Sequence, residues 1–275
     1  MPLLPGVYQA TKKDGTIYYR TSITYKNKHI SLGSYNTPEE SHNAYLEANT
    51  ITKDSSITLD FYNHKDHILS FDKWVVLINF RDSGFYFKNP IYLKDRYFLY
   101  YLNHKEVLKF DVDDLFYYSN HKIMKRGNHL FVADYGMQVS ILSRYGIHSF
   151  SVAGVDYHFA NGDNTDYRYG NVKIINRYMG VRKELTNGLY QYITKIHIIG
   201  DFIVGRYPTE IEAAVAYNKA VNFLKENGIS KNFATNYIEE LDEIAYASMY
   251  NRIRISKNLR AYVVESCESN KFVKF

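Results

Sequence analysis

Side chains that could bind a metal ion or move a proton are grouped between residues 155 and 172. Asp156 could supply one carboxylate ligand to Mg²⁺. Tyr157 comes next, and a phenol with a reference pKa of about 10 is a poor base at neutral pH. His158 lies one residue further on, and in an extended strand it faces away from Tyr157. We therefore expect no catalytic residue and no metal site here, but a structural hydrogen-bond network of Asp156, Asp166 and Arg168.

A second group of side chains could contact DNA. Arginine and lysine read guanine edges or neutralise phosphates, and hydroxyl groups add further contacts to phosphates and bases. The candidates near the start of the chain are Tyr8, Arg20, Ser22, Thr24 and His29. The candidates further along the chain are Arg182, Lys183, Lys195 and His197.

The elements that carry these candidates are related by an internal repeat. Residues 33–48 and 205–220 align without gaps, and the matching flanks occur in the same order. The identical pairs are Gly33/Gly205, Tyr35/Tyr207, Thr37/Thr209, Glu40/Glu212, Ala44/Ala216, Tyr45/Tyr217 and Ala48/Ala220, with Gly6/Gly180 and Ile23/Ile196 upstream.

Each copy predicts three antiparallel strands followed by one helix. The strands are expected at 6–11, 17–25 and 28–34, and again at 180–183, 190–198 and 201–206, with Asx-Gly turns in both copies. Thr37 and Thr209 each precede a glutamate by three residues, which is the spacing of a helix capping box.

The repeated unit resembles the APETALA/ethylene-response-factor DNA-binding domain in its short bacterial and phage form. The second copy carries the resemblance in residues 180–182, 193–197 and 204–220. The first copy matches more loosely, with Tyr8 where the family usually has arginine. The resemblance implies a sheet that lies in the DNA major groove with a helix packed behind it.

Strand alternation predicts which side chains the helix covers. Tyr192, Thr194 and Ile196 are expected on the helix face, so Ile193, Lys195 and His197 should share the open face, with Arg182 and Lys183 alongside. In the first copy Arg20, Ser22 and Thr24 should be open, with Tyr8 and His29 beside them.

The stretch 155–172 resembles the HNH endonuclease motif, whose ββα fold holds a metal ion. The resemblance implies that the general base is the residue after Asp156, where this chain has Tyr157. We interpret Asp166 as a helix cap, Arg168 as bonding back to the scaffold, and Asn171 as packing: a nuclease scaffold whose chemistry is lost.

These patterns predict an α+β fold in which two modules, each a three-stranded antiparallel sheet plus a helix, flank a β-rich middle domain with a degenerate HNH-like (ββα) motif. The expected domains are residues 1–52, 53–177, 178–245 and a C-terminal helix and tail at 246–275. Within the middle domain, strands are expected at Trp74–Phe80, Phe85–Phe87, Tyr97–Leu102 and His129–Ala133, with turns at Gly84 and Gly127.

Composition limits the function further. The chain has 275 residues and a net charge of only +5, so contact with a polyanion must use local patches. A single cysteine, Cys267, the lack of a visible signal segment and the lack of a long apolar run together predict a cytoplasmic protein with no membrane span. The two family resemblances imply that the cell is a bacterial host.

The leading hypothesis is a sequence-specific double-stranded DNA-binding protein of phage or bacterial origin, a transcription regulator without catalysis and without a cofactor. An active HNH homing or nicking endonuclease that uses His158, and an anti-defence factor that binds a protein through its aromatic surface, stay open, as does a homodimer.

Overall fold

The computed structural model describes residues 4–229, 231 and 233–268 of the chain. Residues 269–275 of the expected C-terminal tail lie outside this part. The described chain divides into two compact units. Unit 1 contains residues 4–141 and 163–171, and unit 2 contains residues 142–162 and the described residues from 172 onward.

The fold is mixed α+β, with five small antiparallel sheets and six α-helices among the described residues. The helices are α1 (Pro38–Lys53), α2 (Phe71–Ser83), α3 (Leu115–Asn120), α4 (Glu210–Glu226), α5 (Glu243–Arg252) and α6 (Lys257–Glu268). The strands of unit 1 are β1 (Val7–Thr11), β2 (Ile17–Tyr25), β3 (Lys28–Tyr35), β4 (Ile91–Leu93), β5 (Tyr97–Tyr101), β6 (Val107–Asp111), β7 (Ile123–Arg126), β8 (His129–Asp134) and β9 (Met137–Ser140). Those of unit 2 are β10 (Tyr157–Phe159), β11 (Val172–Ile174), β12 (Val181–Thr186), β13 (Leu189–His197) and β14 (Asp201–Tyr207).

The first copy of the repeat forms the predicted sheet, in the order β1-β2-β3, with α1 packed on one face. Lys26 and Asn27 adopt positive φ angles of 45° and 61°, which matches the twist of a tight hairpin. The Thr37 hydroxyl accepts a hydrogen bond from the N–H of Glu40 (3.1 Å) and caps α1. Ala44 and Ala48 of α1 are fully buried in the same cluster as Ile23, so small residues bring the helix close to the sheet.

The second copy repeats this construction with β12, β13, β14 and α4. Asn187 and Gly188 form its first hairpin turn with φ angles of 52° and 77°. The Thr209 hydroxyl accepts from the N–H of Glu212 (3.2 Å), and Ala216 of α4 belongs to the buried cluster under the sheet. The predicted strand-strand-strand-helix order is confirmed in both copies.

Both sheets carry a β-bulge at the same place in their last strand. The pairing shifts between Thr21 and Ser22 in the first sheet, and between Thr194 and Lys195 in the second. Leu32 and Val204 are the extra residues, since neither has a partner across the strand. A bulge changes the alternation of side chains beyond it, so the residues that follow exchange faces.

Two predicted strands of the middle region are wrong. Trp74–Phe80 lies inside α2, which Ser70 caps at its N-terminus and Gly84 ends with a φ of 77°. A continuous apolar run fits a buried helix as well as a buried strand, and the caps decide between them. Phe85–Phe87 forms no regular element. The other two predicted strands are confirmed as β5 and β8.

The ββα arrangement implied by the HNH resemblance is only half present. Strands β10 and β11 pair antiparallel, but neither residues 160–171 nor residues 175–180 form a helix. The interpretation of Asp166 as a helix cap is therefore wrong. Asp166 instead forms an isolated β-bridge with Lys109 of β6.

Helices α5 and α6 complete the core of the second copy. Leu259 and Val263 of α6 are fully buried with α4 in one cluster. The N–H of Ser256 donates to the carbonyl of Val204 (2.7 Å), the residue at the bulge. The Lys219 Nζ donates to the carbonyls of Tyr250 (2.6 Å) and Ile253 (2.7 Å) at the end of α5.

Candidate nucleic-acid interface

The open face of the first sheet groups all five of its predicted residues. Pairing aligns Tyr8, Arg20 and Ser34 in one row across the three strands. Arg20 therefore lies on the central strand between two hydroxyl side chains. Tyr8 is 55% exposed, and Arg20 and Ser34 are exposed as well.

Further along the same face the cross-strand pairs consist of shorter side chains, most of which carry a hydroxyl group. Ser22 lies opposite Ser31, and Thr24 lies opposite His29. All of these side chains are exposed or partly exposed. The first face thus combines one arginine with several small donors and acceptors, a set that can hydrogen-bond to base edges and phosphates.

The open face of the second sheet has its two arginines on the outer strands. Pairing aligns Arg182, Ile193 and Arg206 in the row that corresponds to Tyr8, Arg20 and Ser34. Arg182 and Arg206 are exposed. Adjacent strands lie about 4.8 Å apart, so the two arginine backbones are separated by about 10 Å across the sheet.

Two expectations for this face need correction. Ile193 is only 2% exposed, so the centre of the row is closed rather than open. Lys183 pairs with Tyr192, which in turn pairs with Tyr207, and both tyrosines pack toward the helix. It therefore lies on the opposite face from Arg182, because neighbouring residues in a strand point to opposite sides. Its Nζ lies 4.2 Å from the centroid of the Tyr190 ring.

The far end of the second open face carries both basic and acidic side chains. Lys195 lies opposite Ile203, and His197 lies opposite Asp201. The His197 Nδ1 and Asp201 Oδ1 are 2.8 Å apart, and this hydrogen bond holds the pKa of Asp201 below its ordinary value. His197 thus has a partner, whereas Lys195 and the two arginines form no ion pair with any residue that the structure describes.

Sequence reasoning missed Arg206 and Ser34 because of the bulges, and it also missed Ser31, which regular alternation with His29 places on the open face. Phe202 packs toward the helix, and strict alternation from it would place Arg206 on the same side. The extra residue Val204 returns Arg206 to the open face. A signal was present in the sequence, because Gly205 and Gly33 interrupt otherwise regular strands, and such a glycine often marks a bulge.

The residues of the HNH-like stretch divide between the two units. Tyr157 is 7% exposed, and burial raises the pKa of its phenol above the ordinary value. His158 is exposed on the other side of β10, as predicted. The Asp156 Oδ2 accepts a hydrogen bond from the N–H of Val152 (2.8 Å).

In unit 1, Asp166 and Arg168 form the predicted hydrogen bonds and Asn171 joins them, whereas Asp156 lies in unit 2. Arg168 donates to both carboxylate oxygens of Asp166, from Nε to Oδ1 (2.9 Å) and from Nη2 to Oδ2 (2.6 Å). This pair holds the pKa of Asp166 below its ordinary value. The Asn171 Nδ2 donates to the carbonyl of Asp166 (2.8 Å).

His148 is a neighbour of Asp156 that sequence reasoning did not single out. Its Nε2 lies 4.0 Å from the Asp156 Oδ1, and its Nδ1 is 3.0 Å from the Ser151 hydroxyl oxygen. No spacing rule connects these residues, since the loop between them determines the approach. Within the described part of the chain, no group of three or more His, Cys, Asp or Glu side chains is placed to hold a metal ion.

No helix in the described ranges has the length and apolar character needed to cross a membrane. Comparisons of the chain with protein-family models, curated proteins and solved structures give no significant match.

Proposed function

We propose that the protein is a sequence-specific double-stranded DNA-binding protein, and that the open faces of its two repeated sheets contact the DNA. The observation that carries the proposal is the shared row geometry. In each copy a three-residue row crosses the open face and presents arginine, at Arg20 in the first sheet and at Arg182 and Arg206 in the second. The opposite face of each sheet is packed under a helix.

The chemistry of the two faces supports base recognition as well as charge neutralisation. Arginine can form bidentate hydrogen bonds to guanine O6 and N7. The hydroxyl groups of Tyr8, Ser22 and Ser34 add weaker contacts. Two faces in one chain raise the apparent affinity through effective concentration, which offsets the modest net charge of +5.

We further propose that the protein acts as a transcription regulator of a phage or a bacterium, without catalysis, and that its middle region derives from an HNH nuclease. The β10–β11 hairpin and the Asp166–Arg168–Asn171 network support this ancestry. The buried Tyr157 in place of a base supports the loss of chemistry.

In-vitro selection from a pool of random duplexes tests the proposal with the full chain. We expect one preferred sequence to emerge after several rounds, with two protected segments in a footprint. A pool that stays random, together with no retention of DNA at low salt, would contradict it.

A protein-binding role is the second candidate, and one observation favours it. The hairpin that joins β12 and β13 exposes Leu185 (63%), Leu189 (69%) and Tyr190 (62%). Exposed apolar groups of this kind often mark interaction sites. Replacing all three with serine separates the two roles, since DNA binding through the open faces should survive the change.

A further inference from the structure

A basic depression lies in unit 1. None of its lining residues belongs to a strand of either open sheet face. Lys94, Asp95, Arg96, Tyr97 and Arg168 line it, and its volume is about 400 Å³. Three of the five lining side chains are cationic and one is anionic, so positive charge is in excess. The first four belong to the turn between β4 and β5 and its edge, where the N–H of Lys94 donates to the carbonyl of Tyr97 (3.0 Å).

Arg168 is held firmly at the edge of this depression. Its Nε and Nη2 are occupied by the carboxylate of Asp166, whose side chain is fully buried. A two-point bond to a planar guanidinium fixes its direction as well as its position. The Arg168 side chain remains 40% exposed, and its Nη1 donates to no acceptor among the described residues.

The loop that carries Arg168 is itself anchored to β6. The N–H of Lys109 donates to the carbonyl of Thr165 (2.9 Å), and the N–H of Tyr167 donates to the carbonyl of Lys109 (2.8 Å). The Lys109 Nζ and the Arg168 Cζ lie 5.6 Å and 5.9 Å from the centroid of the Tyr97 ring. An aromatic ring at such distances attracts cations, so the Tyr97 ring helps to hold the Lys109 and Arg168 side chains close to it.

Lys94 and Arg96 are exposed, and the Lys94 Nζ lies 4.6 Å from the centroid of the Tyr92 ring. Neither forms an ion pair with a carboxylate in the described ranges. Cations placed close together repel one another, and a bound anion removes that repulsion. A phosphate group suits these donors, because its several oxygens can accept from a fixed guanidinium and from flexible ammonium groups together.

We propose that this depression binds a phosphate group and, resting on the proposed function, that the ligand is a phosphodiester of the DNA backbone. It would be a contact that anchors the DNA independently of its sequence, since phosphates carry no base information. The HNH-like loop would then have a new role, in which Asp166 is the positioning residue and Arg168 contacts the ligand.

The test compares the full-length parent protein with the Lys94→Gln/Arg96→Gln double variant. Both replaced side chains are exposed, so folding should be retained, and melting temperatures check this. Lys65→Gln/Lys105→Gln is the matched control, because it also removes two positive charges from exposed lysines of the same unit, outside the depression. Binding of two unrelated fluorescent duplexes is followed by anisotropy over a range of KCl concentrations.

We expect the double variant to lose affinity equally for both duplexes and to lower the slope of log K against log salt by about one to two. The control should keep the slope of the parent. If the parent binds DNA and the double variant has the same slope, the phosphate site is refuted and the proposed function stands.

If the parent binds no DNA at any salt concentration, the proposed function fails and a DNA phosphate at this site fails with it. Titration with inorganic pyrophosphate then decides whether any phosphate site exists. A rise in melting temperature for the parent that is absent in the double variant supports the site, and equal curves refute it.

Discussion

Gly180 lies directly beneath the ring of Tyr217. A Cβ atom at Gly180 would be 2.3 Å from a carbon of that ring and 2.6 Å from the carbonyl oxygen of Lys195. The equivalent glycine of the first copy, Gly6, has the same relationship to Tyr45, again at 2.3 Å. Both glycines have positive φ angles, 74° and 77°. The helix of each copy therefore reaches the first strand of its sheet through the same glycine–tyrosine contact, which supports the repeat independently of sequence alignment.

Gly180→Ala should destabilise the second copy strongly. A side chain at a positive φ costs about 1–2 kcal/mol, and crowding against a packed ring and a backbone oxygen adds about 1–3 kcal/mol. Urea unfolding measures the loss. Gly200→Ala is the matched control, because a Cβ there meets open space. Equal stability of the two variants would show that the contact is not tight.

Lys219→Met should loosen α5 from α4. The change keeps the apolar stem and removes the hydrogen bonds to the carbonyls of Tyr250 and Ile253. Charged hydrogen bonds of this kind contribute about 1.5–3 kcal/mol, so we expect a lower free energy of unfolding by about that amount. Lys225→Met, an exposed lysine at the end of α4, should lose less than 1 kcal/mol. If Lys219→Met loses no more stability than Lys225→Met, the Lys219 hydrogen bonds do not hold α5 in place.

Stability should fall at acid pH in part because of Asp166. The hydrogen bonds from Arg168 hold the pKa of Asp166 below its ordinary value. The ionised carboxylate therefore stabilises the folded state above the unfolded pKa of about 3.9, and this contribution is lost as the pH falls through the lower folded pKa. Asp166→Asn should be less stable at pH 6 and should lose less on going from pH 5 to pH 2. Parallel stability curves for parent and variant would disprove the linkage.

The purified protein should leave supercoiled DNA intact in the presence of Mg²⁺, Mn²⁺ or Zn²⁺. Tyr157 is buried and its pKa is raised, so it is a poor base at neutral pH. Tyr157→His alone should not restore cleavage. Metal-dependent nicking by the parent that vanishes in His158→Ala would instead favour an active nuclease.

Local signals predicted the two copies well. Asx-Gly pairs, capping threonines and small helix residues act within a few positions of the chain, so Thr37, Asn187 and Ala44 each indicated their element correctly. Tyr217, which the repeat pairs with Tyr45, packs on the buried side of its helix and is 5% exposed.

Features that depend on pairing with distant residues were predicted less well. The bulge at Val204 turns Arg206 to the open face because it shifts the pairing of β14 with β13. The run Trp74–Phe80 is buried as a helix, and an apolar run alone does not distinguish helix from strand. Arg168 meets Lys94 and Arg96 only because its loop pairs with β6.

Variants at neighbouring residues on opposite faces of a strand test most directly whether the open sheet faces read DNA. Arg182→Ala and Arg206→Ala, with Arg20→Ala in the first copy, should each reduce discrimination between the selected duplex and an unrelated one by about 1–3 kcal/mol. Lys183→Ala removes a charge next to Arg182 but on the helix face, and it should leave this discrimination unchanged. Fluorescence anisotropy at fixed salt gives both affinities, with melting temperatures as a check on folding. If the three arginine variants fold normally and keep the discrimination of the parent, or if Lys183→Ala loses as much as Arg182→Ala, the open faces are not the reading surface.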